Sequence, residues 1–114
     1  MPLIYKIVDS NVWENALKSC VFKGASIDLK DGYIHLSSAE QAEETARLHF
    51  AGIDNLLLVA FLPEAFGPSL KWEASRGGTL FPHVYASIDP ASALWAQPMP
   101  WNGTSHDFPQ GWKT

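Results

Sequence analysis

The order of apolar and polar positions along the chain predicts a succession of strands and helices. Residues 3–8 (LIYKIV) form a β-branched and aromatic run typical of a buried strand. Trp13, Ala16, Leu17 and Cys20 then recur at i, i+3, i+4 and i+7, the period of a helix, and Asp9 or Ser10 can cap its start. Residues 22–32 carry no period and end in the turn signal Asp31-Gly32, after which residues 33–37 read as a second strand. Ser37 stands three residues before Glu40, and Ser38 three before Gln41, so either pair can form a capping box for a helix over residues 39–50. The unbroken apolar run at residues 55–61 (NLLLVAF) suits a strand buried on both faces at the centre of the sheet, and Pro63 stops it. Residues 70–73 and 79–85 read as two further strands around a loop, and residues 92–96 as another. Two main helices gathered against a mixed sheet make the fold class α+β.

Composition narrows the class. A chain of 114 residues, 46% of them hydrophobic, is the size of one domain and can bury a core. Residues 1–96 read as that core, and residues 97–114 as an irregular tail rich in proline, glycine and polar side chains. The tail also carries Trp101, Phe108 and Trp112, large aromatics that favour packing on the domain surface or on another subunit. The single cysteine, Cys20, excludes an intramolecular disulfide and a multi-cysteine zinc site. The first ten residues lack a basic segment followed by a long apolar run, and no stretch approaches the roughly 20 apolar residues that span a bilayer. The expected location is therefore the cytoplasm, with no membrane partner. Twelve acidic against eight basic side chains give a net charge of −4, with no lysine or arginine run to follow a long nucleic acid. A small anionic ligand remains compatible with that charge, because one or two cations in a cleft focus the local field.

Candidate chemistry comes from strand parity. Alternate residues of a strand face opposite ways, so Ile34 and Leu36 share one face while Tyr33, His35 and Ser37 share the other. The later strand puts Leu80 and Val84 on one side and Thr79, Phe81, His83 and Tyr85 on the opposite side. Each strand pairs an aliphatic face with a histidine flanked by aromatics and hydroxyls, so His35 and His83 are expected to converge on one ligand cleft. The loop between the later strands (Lys71, Trp72, Glu73, Ala74, Ser75, Arg76, Gly77, Gly78) offers an anion site. Its glycines permit close approach to backbone N–H groups, Ser75 and Trp72 flank it, and Arg76 can grip an anion bidentately. The same residues also suit an ordinary hairpin with Gly77-Gly78 in its turn. Glu73 is the candidate catalytic carboxylate, as a base or as a stabiliser of positive charge. Ser37 and Ser38 read first as helix caps, and no short metal-ligand spacing such as HxH or HExxH is present, so no metal is expected.

The segments DGYIHLSSAEQ (residues 31–41) and LKWEASRGGTLFPHVY (residues 70–85) resemble the family called domain of unknown function 952, over most of the chain. That family is similar in fold to ADP-ribosyltransferases and RNA 2′-phosphotransferases, which bind NAD or ADP-ribosyl groups in a cleft of a split mixed sheet. The resemblance implies a transferase-like enzyme acting on an NAD, ADP-ribosyl or nucleotide-like small molecule, with NAD as a candidate substrate rather than a bound cofactor. IYKIV then stands at the first strand motif, HLSSAEQA at the serine-containing strand that leads into a helix, and Glu73 at the acidic residue. Lys6 occupies a ligand-binding position where histidine or arginine is the pattern. In the combined expectation His35, Glu73 and His83 are catalytic. Lys6, Tyr33, Ser37, Trp72, Ser75, Arg76, Gly77, Gly78, Phe81 and Tyr85 contact the ligand. The alternatives are a non-catalytic ligand-binding module of the same fold and an interaction protein that works through its aromatic tail.

Overall fold

The computed structural model describes residues 2–113, with the side chain of Arg76 outside the described part. Strand β1 (Ile4–Asp9) leads into helix α1 (Ser10–Ser19), and a second helix α2 (Ser26–Asp31) follows before the short strands β2 (Ile34–His35) and β3 (Ser37–Ser38). Helix α3 (Ala42–His49) precedes β4 (Leu56–Phe61), a 3-10 segment (Pro63–Ser69), the hairpin β5 (Leu70–Ala74) and β6 (Leu80–Val84), and finally β7 (Trp95–Pro98).

The α+β class holds, but the sheet is not mixed. The strands form a four-stranded sheet of order β3-β1-β4-β7 and a three-stranded sheet of order β2-β6-β5, and every pairing between them is antiparallel. A mixed sheet needs at least one crossover that returns the chain parallel to a neighbouring strand, as a single helix between adjacent strands does. Two helices intervene instead, and β3 comes back antiparallel on β1. The expected strand at 33–37 is interrupted at Leu36, where the chain leaves the small sheet as β2 and joins the large one as β3.

The apolar run in β4 is central, as its composition predicts, and it is buried on both faces although its neighbours are antiparallel. Two cores account for that. Ile4, Val8, Val59 and Phe61 pack with Trp13 and Ala16 of α1 and with Ile34 and Val84 of the small sheet. On the other face Tyr5, Ile7, Leu58 and Ala60 pack with Ala42 and Ala46 of α3 and with Met99 and Trp112. Those last two belong to the tail, which therefore lies on its own chain: the Tyr5 hydroxyl donates to the Trp112 carbonyl at 2.7 Å, and Trp112 meets Tyr5 edge-on. His106 is held in the same way, its Nε2 2.8 Å from the Ile53 carbonyl oxygen.

Local signals work at one helix and fail at another. Asp9 caps α1, accepting from the Asn11 and Val12 N–H groups, but Leu17 and Cys20 are exposed and only Trp13 and Ala16 of the predicted stripe are buried. Helix α3 starts at Ala42, later than the capping boxes imply. Half of one box survives, in which Gln41 Oε1 accepts from the Ser38 N–H at 3.0 Å, while Ser37 donates to the Thr45 hydroxyl rather than capping. Among the described residues no helix is long and apolar enough to cross a membrane.

Candidate functional site

Parity in β2 and β6 predicts that His35 and His83 converge, and the register makes them direct cross-strand partners. Their ring centroids lie 5.4 Å apart. Tyr33 covers both, with its ring 4.6 Å from His35, 4.2 Å from His83 and 5.1 Å from Tyr85. The aliphatic partners in the same strands, Ile34 and Val84, go to the core as expected.

Each histidine is held at Nδ1 by a carboxylate. On His83 the ring N–H donates to Glu73 Oε1 at 2.8 Å, and the Tyr85 hydroxyl donates to the same oxygen at 2.7 Å. Glu73 reaches both because β5 pairs with β6 and places it opposite Phe81, one alternate step from His83. The hydrogen bonds from Tyr85 and then His83 hold the Glu73 carboxyl below the usual carboxylate range, and the same Glu73 contact pushes the Tyr85 phenol up to about 12. His83 Nε2 has no hydrogen-bonding partner among the described residues, and the ring lines a cleft of about 570 Å3. A neutral ring that donates from Nδ1 carries its lone pair on Nε2.

On His35 the carboxylate is Asp28, which the sequence reading missed. Its Oδ1 lies 2.7 Å from His35 Nδ1 and accepts the His35 backbone N–H at 3.0 Å. Lys6 Nζ sits 2.8 Å from Oδ2, and the same oxygen accepts the Ala25 N–H at 2.7 Å. Lys6 also donates to the His35 carbonyl at 3.0 Å. Asp28 is only 2% exposed. Burial by itself raises its pKa, but the His35 hydrogen bond and the charge and hydrogen bond of Lys6 outweigh it and bring the carboxyl down to about 2. Burial pushes the Lys6 ammonium below its ordinary value, and Asp28 opposes that fall. Gly24 makes room for this carboxylate: a Cβ there would stand 2.7 Å from the Asp28 Cβ, and its φ of +110° already disfavours side chains. One signal for Asp28 was present in the sequence. Lys6 lies between Ile4 and Val8 on a core-facing strand parity, and a buried ammonium requires an anionic partner.

The remaining candidates separate. Lys6, His35, Ser37, Ser75, Phe81 and His83 all line the cleft. Glu73 and Tyr85 hold His83, and Tyr33 packs over the rings. Trp72 is on the opposite face of β5 and lines a second groove with Thr79 and Leu80. In the loop, Gly77 and Gly78 take the positive φ values of +66° and +82° that the pair permits, and the Gly78 N–H closes the turn onto the Ser75 carbonyl at 2.9 Å. That geometry is the hairpin reading of the loop. The anion grip expected of Arg76 lies outside the described residues. Among the described residues no group of three or more His, Cys, Asp or Glu side chains is arranged to hold a metal ion.

The fold and site define a small α+β protein with two carboxylate-anchored histidines at the junction of two antiparallel sheets. Residues 7–96 match the family described as protein of unknown function (DUF952), and the chain belongs to that family. It is similar to protein CC0527 from Caulobacter crescentus, with 42% identity, 93% of each chain covered and a TM-score of 0.88 to the crystal structure. The solution structure of the same protein gives a TM-score of 0.82 over 92% of this chain and 90% of that one. None of the curated proteins matches the chain.

Proposed function

We propose that this protein is an enzyme acting on an NAD, ADP-ribosyl or other nucleotide-like small molecule in the cleft, with His83 as the group that takes and returns a proton. The observation that carries the proposal is the Glu73–His83 pair. Glu73 fixes the ring through Nδ1, orients Nε2 toward the cleft, and stabilises the imidazolium formed when Nε2 accepts a proton. The second hydrogen bond on Glu73, from Tyr85, fixes the carboxylate in turn. The cleft volume falls within the roughly 300–1,000 Å3 of small-molecule sites. Phe50 and Phe81 on its wall suit a ring, and Ser37 and Ser75 offer hydroxyls. The nucleotide-like ligand class rests on the resemblance of residues 4–8 and 35–42 to transferase strand motifs.

Thermal-shift titration with NAD, ADP-ribose and nucleoside phosphates tests the ligand class. A ligand at 100 times its Kd raises stability by about 2.7 kcal/mol, and His83→Gln should abolish product formation while leaving most of that shift. No stabilisation by any of these compounds at millimolar concentration overturns the ligand class. Stabilisation without turnover in the unmodified protein makes it a non-catalytic binding module.

A further inference from the structure

The two histidines are held in complementary ways. His35 faces a carboxylate at each nitrogen, Asp28 Oδ1 at 2.7 Å from Nδ1 and Asp31 Oδ2 at 3.0 Å from Nε2. A carboxylate only accepts, so both contacts are hydrogen bonds only when both nitrogens carry protons. His83 has one such partner, Glu73, and its Nε2 is left to the cleft. The geometry thus favours a proton on His35 Nε2 and a lone pair on His83 Nε2. The groups that face the two rings are Asp28 and Asp31 from α2, Glu73 from β5, and Tyr33. Lys6 reaches His35 only through Asp28 and the His35 carbonyl.

The carboxylates on His35 are unlike each other. Asp28 is sealed in the interior and holds Lys6 and two backbone N–H groups besides the ring. The Asp31 side chain is 35% exposed, lines the cleft, and has no other hydrogen bond or ion pair among the described residues. It ends α2, just before Gly32 turns the chain with φ +86°, so it can swing to water without disturbing a helix interior.

We propose that Asp31 is an internal stand-in for an anionic group of the ligand, and that a phosphate oxygen displaces it from His35 Nε2. His35 and His83 then face one phosphorus as acid and base. This rests on the enzymatic role proposed for His83. As the oxygen of a water or ligand hydroxyl bonds to phosphorus, its proton passes to His83 Nε2. The bond from phosphorus to the leaving oxygen breaks, and that oxygen takes the proton from His35 Nε2. Exchange with water afterwards removes the proton from His83 and restores the one on His35. The bond broken is therefore a phosphate ester or anhydride of the nucleotide-like ligand, not its glycosidic bond.

Histidine side-chain NMR during titration with inorganic phosphate tests the displacement in the unmodified protein and in Asp31→Asn. Phosphate should shift the His35 Nε2 signal, and removing the competing carboxylate should lower the phosphate Kd about tenfold, the size of one charge-assisted hydrogen bond. A phosphate-insensitive His35, or a Kd that Asp31→Asn leaves unchanged or raises, overturns the displacement. Chromatography of ADP-ribose and NAD incubated with the protein tests the bond. AMP release from either supports the inference. Nicotinamide release without AMP overturns it and leaves His83 as the proton-transfer group, whereas failure of every nucleotide to bind overturns both readings.

Discussion

Asp28 and Glu73 each hold the Nδ1 of a histidine in one cross-strand pair, and they do so in opposite surroundings. Asp28 is buried with an ammonium, an imidazole and two backbone N–H groups around it, whereas the Glu73 side chain is 38% exposed and takes only His83 and Tyr85. The same pairing of carboxylate with imidazole therefore has a locked carboxylate on one side and a solvent-facing one on the other. A carboxylate whose every oxygen lone pair is engaged inside the protein cannot rearrange without unfolding its surroundings. One at the surface can follow a proton on its histidine.

The sharpest way to break that comparison is to delete each carboxylate. Asp28→Ala strands the buried Lys6 ammonium and leaves the Ala25 and His35 N–H groups without acceptors, a loss of about 3–5 kcal/mol. For a domain of this size that lowers Tm by roughly 15–25 °C. Glu73→Gln keeps an acceptor at an exposed position, where water screens the interaction, and should cost far less than Asp28→Ala. Calorimetry on the two variants decides the matter, and equal losses would erase the distinction.

Acid titration gives a smaller effect of the same origin. The folded Asp28 carboxyl lies at about 2, below its ordinary 3.8, so its stabilisation is complete above about pH 4 and is lost as pH falls toward 2. The shift corresponds to on the order of 2 kcal/mol. Urea midpoints measured across that window should fall in the unmodified protein, and Asp28→Asn, although less stable throughout, should lose this part of the slope.

The smallest effect is on Tyr85. Its phenol, pushed up to about 12 by the Glu73 contact, should titrate late in an alkaline absorbance titration, as should the Tyr5 phenol that burial raises, and Tyr85→Phe should remove its own late step with little change in stability. The same variant lets the Glu73 carboxyl rise toward its usual range, because the hydrogen bond that lowers it most is gone. A carbon-detected titration of Glu73 that shows no rise would mean that His83 alone holds it.

The strands and the convergence of the two histidines were legible in the sequence because both follow from short-range rules. A long apolar run marks β4, and the two-residue repeat of a strand sends His35 and Ile34, or His83 and Val84, to opposite faces wherever the strands lie. Antiparallel pairing was not legible, since it depends on α2, a six-residue helix whose Ile27 and Leu29 point to solvent and leave no apolar period to detect. Asp28, buried in that helix, is bonded to residues 6 and 35 instead.

By itself the sequence determined the first strand, the helix after it, the central strand, and the polar faces of β2 and β6, and it put Lys6 among core-facing residues, where an ammonium requires an anion. Only the tertiary structure decided which of the twelve acidic residues meets that need, and that Glu73 rather than Asp28 faces solvent. It alone also placed Asp31 on the second nitrogen of His35 and the tail aromatics on the domain's own core. The physical reason is range: backbone periodicity is written within a few residues, whereas the partner of a buried charge is chosen by whichever distant group the packed chain brings within 3 Å, as Asp28 is brought to Lys6.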